Sequence, residues 1–332
     1  QQTEVVRPMT DRTISGPTRP SLPVDPAVLI VAIGCGLLLA AGGTILPAFL
    51  TAGYLLQQLQ IASFLGIIAA GATLVILLGH IDLSVPAAIT AIAIVTTTVA
   101  GSQDPTLAAL AIPIGLLTGA LIGLINGIGV AFLRLPSMVW TLAMNSTLIG
   151  SVVFFTGGFK PRGMAPPLSI TLSLERSFGI PNAFLFWLVL MAAMFYLLHR
   201  TVYGKYLIAM GNSEKAVYLS GIRVRLVTTL TFVVAGVFTA IGAILLAGYA
   251  NQAYQGMGDP YMLPVITAVV IGGTSIMGGQ GGYGGTIVGA IFITLLSSIL
   301  SVLQMPEAFR QIVFGVIILA MLLIRGYKRS FR

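Results

Sequence analysis

The residues able to do chemistry in this sequence fall into four short stretches. The first reads Gly79-His80-Ile81-Asp82-Leu83-Ser84-Val85-Pro86, with a carboxylate and a hydroxyl between two long apolar runs. A carboxylate at membrane depth is costly unless it is paired, hydrogen-bonded or near water. Gly79 and Pro86 mark a break between two helical pieces, and the backbone groups freed there must be met by protein or by a watery cavity. Asp82 and Ser84 therefore read in two ways. They line a pathway, or they cap the helix that follows by accepting its free N–H groups. The second stretch opens at Pro136 and carries Trp140, Thr141 and Asn145 about one helical turn apart, with a further amide at Asn126. Aromatic faces, amides and hydroxyls bind neutral hydroxylated solutes without a full charge. The same groups also hydrogen-bond one membrane helix to another, and both readings stay open.

The third stretch is Gly272–Gly285, with eight glycines in fourteen positions. Gly279, Gly281 and Gly284 fit G-x-G-x-x-G, but a dinucleotide site also needs a preceding strand and a carboxylate about 20 residues on. Neither is present, and no lysine is available for a phosphate loop. The run G-G-Q-G looks like part of an ATP-cassette ATPase signature, yet no nucleotide-binding loop accompanies it. Gly272, Gly273, Gly278, Gly279 and Gly281 therefore read as a structural turn, where glycine permits unusual dihedrals and close helix contact.

The fourth stretch, Arg200–Arg225, holds six charges: Arg200, Lys205, Glu214, Lys215, Arg223 and Arg225. It contains a short helix with visible ends. Asn212 or Ser213 can cap its start, and Gly221 can end it in the left-handed conformation. Ala216, Val217, Leu219 and Ser220 give it a small apolar or neutral surface. It reads either as a docking element for another protein or as an ordinary loop made basic by membrane orientation. No paired carboxylates, Ser/His/Asp set or Cys/His cluster accompanies these stretches, so an enzyme reading has no residues to stand on. Cys35 is the single cysteine.

The elements that must position these residues are membrane helices. Of 332 residues, 57% are hydrophobic and 8% charged, against about 25% charged in soluble domains. The mean hydropathy is +1.00. The fold class is all-α and polytopic, with apolar runs long enough to cross a core of about 30 Å. Ten spans are expected, near 27–47, 54–79, 84–101, 107–132, 137–156, 183–199, 226–249, 262–277, 284–303 and 308–325. Ten spans put both termini on one side. With that side cytoplasmic, thirteen basic residues lie inside and four outside (Lys160, Arg162, Arg176 and Arg310), which fixes the orientation. The net charge of +8 thus flanks membrane spans rather than marking a nucleic-acid surface.

Residues 1–26 then form a mobile polar tail, 157–182 the longest exterior loop, 200–225 a cytoplasmic loop and 326–332 a basic tail. Asp82 is the one acidic residue expected near membrane depth. Gly115, Gly119, Gly123 and Gly127 recur every four positions, a small-residue face for close helix packing.

Taken together, these stretches resemble the permease subunits of bacterial ATP-binding-cassette importers for monosaccharides of the ribose, xylose, arabinose and galactoside type. Gly79–Pro86 is similar to that family's G-G-I-D-L-S-V-G, with His80 and Pro86 in place of glycines. Leu207–Ile222, Ala268–Gly281 and Gly285–Ala290 match three further family motifs, and the similarity runs from about residue 50 to 325. The resemblance implies two permease chains around a central pathway in the bacterial inner membrane. It also implies ATPase subunits that bind ATP and magnesium, and an extracytoplasmic sugar-binding protein. This chain would hold no cofactor or metal. Gly211, Asn212, Ser213, Glu214, Lys215, Ala216, Leu219, Ser220, Gly221 and Ile222 would form the segment that couples to the ATPase. Asp82, Ser84, Asn126, Trp140, Thr141 and Asn145 would border the pathway. The alternatives are an amino-acid or nucleoside permease of related shape, or a secondary transporter, which would more often need intramembrane ionisable groups.

Overall fold

A computed structural model describes residues 26–157 and 163–330, with side chains over 28–157 and 163–323. The expected N-terminal tail through residue 25, and Lys160 and Arg162 of the exterior loop, lie outside the described residues.

Each expected span meets a helix. They are α1 (Pro26–Ile45), α2 (Ala52–Leu77), α3 (Val85–Ala100), α5 (Ala111–Ala131), α6 (Ser137–Thr156), α8 (Asn182–Arg200), α11 (Val224–Ala250), α12 (Met262–Ile271), α13 (Tyr283–Val302) and α14 (Glu307–Ser330). Between them lie α4 (Pro105–Ala109), α7 (Pro167–Leu174), α9 (Val202–Asn212) and α10 (Glu214–Leu219), with a small hairpin of β1 (Arg176–Ser177) and β2 (Ile180–Pro181). Among the described residues, seven helices are long and apolar enough to cross a membrane, while α3 and α12 are shorter apolar helices. The helix α14 runs through most of the expected basic tail.

Three boundaries differ from the sequence reading. The span expected at 262–277 stops at Ile271, because the glycine turn begins at once. The stretch 200–225 holds two helices rather than one, since Thr201 caps α9 by accepting the Gly204 N–H. The exterior loop is not all free. Its α7 packs on α11, where Ser173 Oγ donates to the Leu245 carbonyl at 2.7 Å.

The core is built around α2, a helix apolar on every face and 89% buried over its most apolar window. A helix hydrophobic all round belongs in the interior. Small residues let neighbours approach: Trp187 of α8 lies over Gly66, where a Cβ would stand 2.0 Å from the ring. The Trp187 indole N–H donates to Tyr283 Oη (2.7 Å), which donates to the Gly66 carbonyl (3.0 Å). The recurring glycines of α5 meet α11 backbone to backbone. A Cβ on Gly119 would lie 2.4 Å from Gly236 O, and one on Gly123 would lie 2.2 Å from Phe232 O. This contact holds α5 and α11 together, and with them the α3 that they flank.

Candidate translocation site and its link to the surface

The helix α2 ends at Leu77 and α3 starts at Val85, leaving the seven residues 78–84 outside regular helix. Side chains from three directions satisfy that segment. Asp82 Oδ1 accepts the Ser84 N–H (2.8 Å) and the Ser84 hydroxyl (2.6 Å). Ser84 Oγ in turn accepts from Asn126 Nδ2 of α5 at 2.8 Å. From α6, Ser137 Oγ accepts the Ile81 N–H (3.3 Å), Thr141 Oγ1 the Leu83 N–H (2.9 Å) and Asn145 Oδ1 the Ala87 N–H (3.2 Å). Asp82, Ser84, Asn126, Thr141 and Asn145 thus come together as one hydrogen-bonded cluster. Asp82 takes the Ser84 N–H just ahead of the helix, Asn145 takes the Ala87 N–H of its first turn, and Ser84 occupies the N-cap position without a side-chain cap bond of its own. Interhelix hydrogen bonds in membranes average about 0.6 kcal/mol and reach about 1.7, so the cluster orders the break without locking it.

Ser137 was missed from the sequence, although its spacing of four from Thr141, and of Thr141 from Asn145, is the signal that would have found it. Trp140 does not join the cluster. It is half-buried against Val75, Val130, Phe232 and Ala235, and its ring fills the space over Gly129, where a Cβ would lie 2.0 Å away. Beside Asp82, a cavity of about 10 Å³ lies between α2, α3 and α12, walled by Ala72, Ile76, Pro86, Met262 and Val265. It has room for about one water, so the space next to the carboxylate is closed in this conformation.

The glycine turn is bound to the same break. Gly273, Gly278, Gly279 and Gly281 all have positive φ, as the sequence expectation of a special turn requires. The Gly279 N–H donates to the Leu77 carbonyl, the last of α2, at 2.8 Å. The Asn212 amide at the end of α9 donates to the Gly279 carbonyl at 3.1 Å. Gly211 is wedged between them: a Cβ there would stand 2.0 Å from Leu77 O and 2.3 Å from Gly279 N. The end of α2, the glycine turn and the end of α9 therefore meet through bare backbone.

From that meeting point α10 projects outward. Ser213 caps it by accepting the Ala216 N–H at 3.3 Å, and Gly221 leaves it at φ 81°. Val217 is buried and Ile222 half-buried, so both face the protein. Glu214, Lys215, Ala216, Ser220 and Gly221 are exposed, and Leu219 is 84% exposed. Tyr218, at 70%, joins this outer surface although the sequence reading passed it over.

Comparison with known proteins agrees with this architecture. A family model described as "Branched-chain amino acid transport system / permease component" matches residues 54–322. The ribose import permease protein RbsC of Escherichia coli K12 is 31% identical over 97% of this chain and 100% of its own length. RbsC of Bacillus subtilis 168 is 31% identical over 86% of this chain and 88% of its own. The autoinducer 2 import system permease protein LsrC of Escherichia coli O9:H4 is 31% identical over 86% of this chain and 84% of its own. No solved structure gives a significant match. The chain belongs to this permease family, the membrane component of ATP-binding-cassette import systems, and is a transport subunit rather than an enzyme.

Proposed function

We propose that this chain forms half of the pathway of an ATP-driven, binding-protein-dependent importer of a monosaccharide in the bacterial inner membrane. A second permease chain completes the pathway, and the nucleotide and magnesium belong to partner ATPase subunits. The observation that carries this reading is the outer surface of α10. A short helix capped at both ends is rigid, and its buried Val217 anchors it. Its exposed Tyr218 and Leu219 are large apolar side chains presented beyond the membrane spans on a basic stretch. Apolar groups displayed in this way call for a protein partner. The monosaccharide comes from the ribose permeases among the relatives, and it suits a pathway cluster of hydroxyls, amides and one carboxylate.

Motion of the ATPases would move α10, and α9 would carry the movement to the glycine turn and the break. The test is to purify the complex through a tag on this chain and measure bound ATPase and sugar-stimulated hydrolysis. Ala216→Trp should clash on docking, and Gly221→Val should strain a residue held at positive φ. Each should strip the ATPase or reduce stimulated hydrolysis at least fivefold while the permease still inserts. If both variants keep unmodified levels of each, α10 is an ordinary basic loop and the assignment fails.

A further inference from the structure

The segment Asn251–Tyr261, between the spans expected at 226–249 and 262–277, does not stay at the surface. The Gly258 N–H donates to Thr90 Oγ1 of α3 at 3.0 Å, and a Cβ on Gly258 would stand 2.0 Å from Pro86 O. Thr90 lies six residues beyond Ser84, which is bonded to Asn126, itself five residues short of the end of α5. At a rise of 1.5 Å per residue, that places Gly258 about 16 Å above the end of α5. Ala100, the far end of α3, lies about 15 Å beyond Thr90 by the same rise. Gly258 is therefore near the middle of a hydrocarbon core of about 30 Å. The ten residues of α12 that follow span about 15 Å, half of that thickness. The chain leaves α11, descends to mid-membrane without regular helix, and returns to the other side as a half-length helix.

Non-helical backbone at that depth is tolerated only inside protein or along a watery cavity. Ala253, Met257 and Gly258 are buried, but Asn251, Gln252, Gln255 and Asp259 are exposed, and Tyr254 is 40% exposed. Gln255 and Asp259 lie within three residues of Gly258, and lipid cannot accept an amide and a carboxylate at that depth. Asp259 forms no ion pair among the described residues, and 251–261 contains no Lys or Arg. The α12 that follows also walls the cavity beside Asp82 through Met262 and Val265.

We propose that Asn251–Tyr261 is an irregular binding segment that leads from the outer end of α11 down to the middle of the pathway, contacting a neutral, hydroxyl-rich solute through Gln252, Gln255, Asp259 and the Tyr254 ring. The amides both give and accept hydrogen bonds, and the carboxylate accepts from hydroxyls. The ring offers a face to the C–H side of a sugar. With no basic group present, the site disfavours anions. It deepens the reading of the chain as a sugar permease and rests on it.

The test starts from Cys35→Ser, which leaves a chain without cysteine. In the assembled complex in membranes, Gln255→Cys should react with a water-soluble methanethiosulfonate reagent at least tenfold faster than Leu121→Cys. Leu121 is an exposed α5 residue ten positions from the end of its helix, and so lies at similar depth. D-ribose should slow the Gln255→Cys reaction at least threefold. Asp259→Asn should raise the KM for D-ribose uptake at least tenfold. Equal labelling of the two cysteines, or protection by sodium or choline in place of sugar, would overturn the site. If the unsubstituted complex takes up none of D-ribose, D-xylose and D-galactose, the sugar reading itself fails. Uptake by that complex with an unchanged KM in Asp259→Asn removes this segment alone.

Discussion

The chain is interrupted at two neighbouring places, and the two interruptions are repaired by different means. Between α2 and α3 the free backbone is met by side chains: Asp82, Ser137, Thr141 and Asn145 each take an N–H group. Between α12 and α13 it is met mainly by other backbone. Thr274 N bonds Val269 O, Ser275 N bonds Gln280 O, Gly278 N bonds Ser275 O, and Gly279 N reaches across to Leu77 O. A side-chain repair can be exchanged for another set of bonds as helices slide, and it places polar groups beside a cavity. A backbone repair depends on exact close approach and has nothing to offer a solute. The first kind suits a pathway that opens and closes, and the second suits a joint that must transmit movement without stretching.

The largest effect should come from filling the backbone joint. Gly279 has φ 71°, and a Cβ there would lie 2.6 Å from the Asn212 amide carbon. Gly279→Leu combines a left-handed penalty of about 1–2 kcal/mol with overpacking of about 1–3 kcal/mol. The yield of monodisperse protein in detergent should fall severalfold before any change in sugar preference. A well-folded Gly279→Leu protein with altered selectivity would erase the distinction between the two repairs.

A smaller effect should follow from removing one side-chain acceptor. Thr141→Val keeps the shape of the side chain and leaves the Leu83 N–H without its partner, a loss of about 1–3 kcal/mol for a buried donor. The melting temperature of the purified permease should drop by a few degrees. Uptake should be affected more than assembly, because the break loses the middle one of its three hydrogen bonds to α6. Trp140→Ala provides the contrast. Trp140 packs over Gly129 outside the cluster, so its loss should lower thermal stability and leave the KM for sugar unchanged. A raised KM with unchanged stability would return Trp140 to the pathway wall where the sequence reading put it.

The parts legible in the sequence were those with a local cause. Ser213 and Gly221 end α10 by chemistry that needs no neighbour, and the glycines of α5 announce a packed face by their spacing alone. The polar residues that gather at the break were visible singly, but which N–H group each one meets is a tertiary fact. The segment that descends from α11 was hidden for a stronger reason. Asn251–Tyr261 is polar and rich in turn residues, so by composition it belongs outside the membrane. Only its bond to Thr90 reveals its depth, and no periodicity encodes that. On that proposal Asp259 would stand beside Asp82 as a second acidic residue at depth. The length of α12 was overestimated because Gly272–Met277 carries no charge to mark the end of the span, although the helix stops at Ile271.

The smallest effect on stability should come from the bond that joins the two repairs to the surface, and it is the most informative for mechanism. Asn212 is exposed as a residue, yet its amide points inward. It donates to the Gly279 carbonyl (3.1 Å) and to Ile208 O (2.9 Å). Asn212 therefore acts as a positioning residue between α9 and the glycine turn, apart from the outer surface of α10. Asn212→Ala removes bonds worth about 0.5–1.5 kcal/mol each, while Gly211 still seats α9 on Leu77 and Gly279. The permease should fold, and the ATPase should stay bound through α10. Movement of α10 would then reach the break less completely, so sugar uptake per ATP hydrolysed should fall at least threefold. Asn212→Asp should be worse, because a carboxylate facing the Gly279 carbonyl repels where the amide donated. Asn212→Gln keeps a donor and should recover part of the coupling. A merely structural role predicts that loss of coupling tracks loss of thermal stability across the three variants. Transmission through the joint predicts that coupling follows the donor instead, with melting temperatures within a few degrees of each other. Equal uptake per ATP in all three would show that α9 drives the break through the Gly211 contact alone.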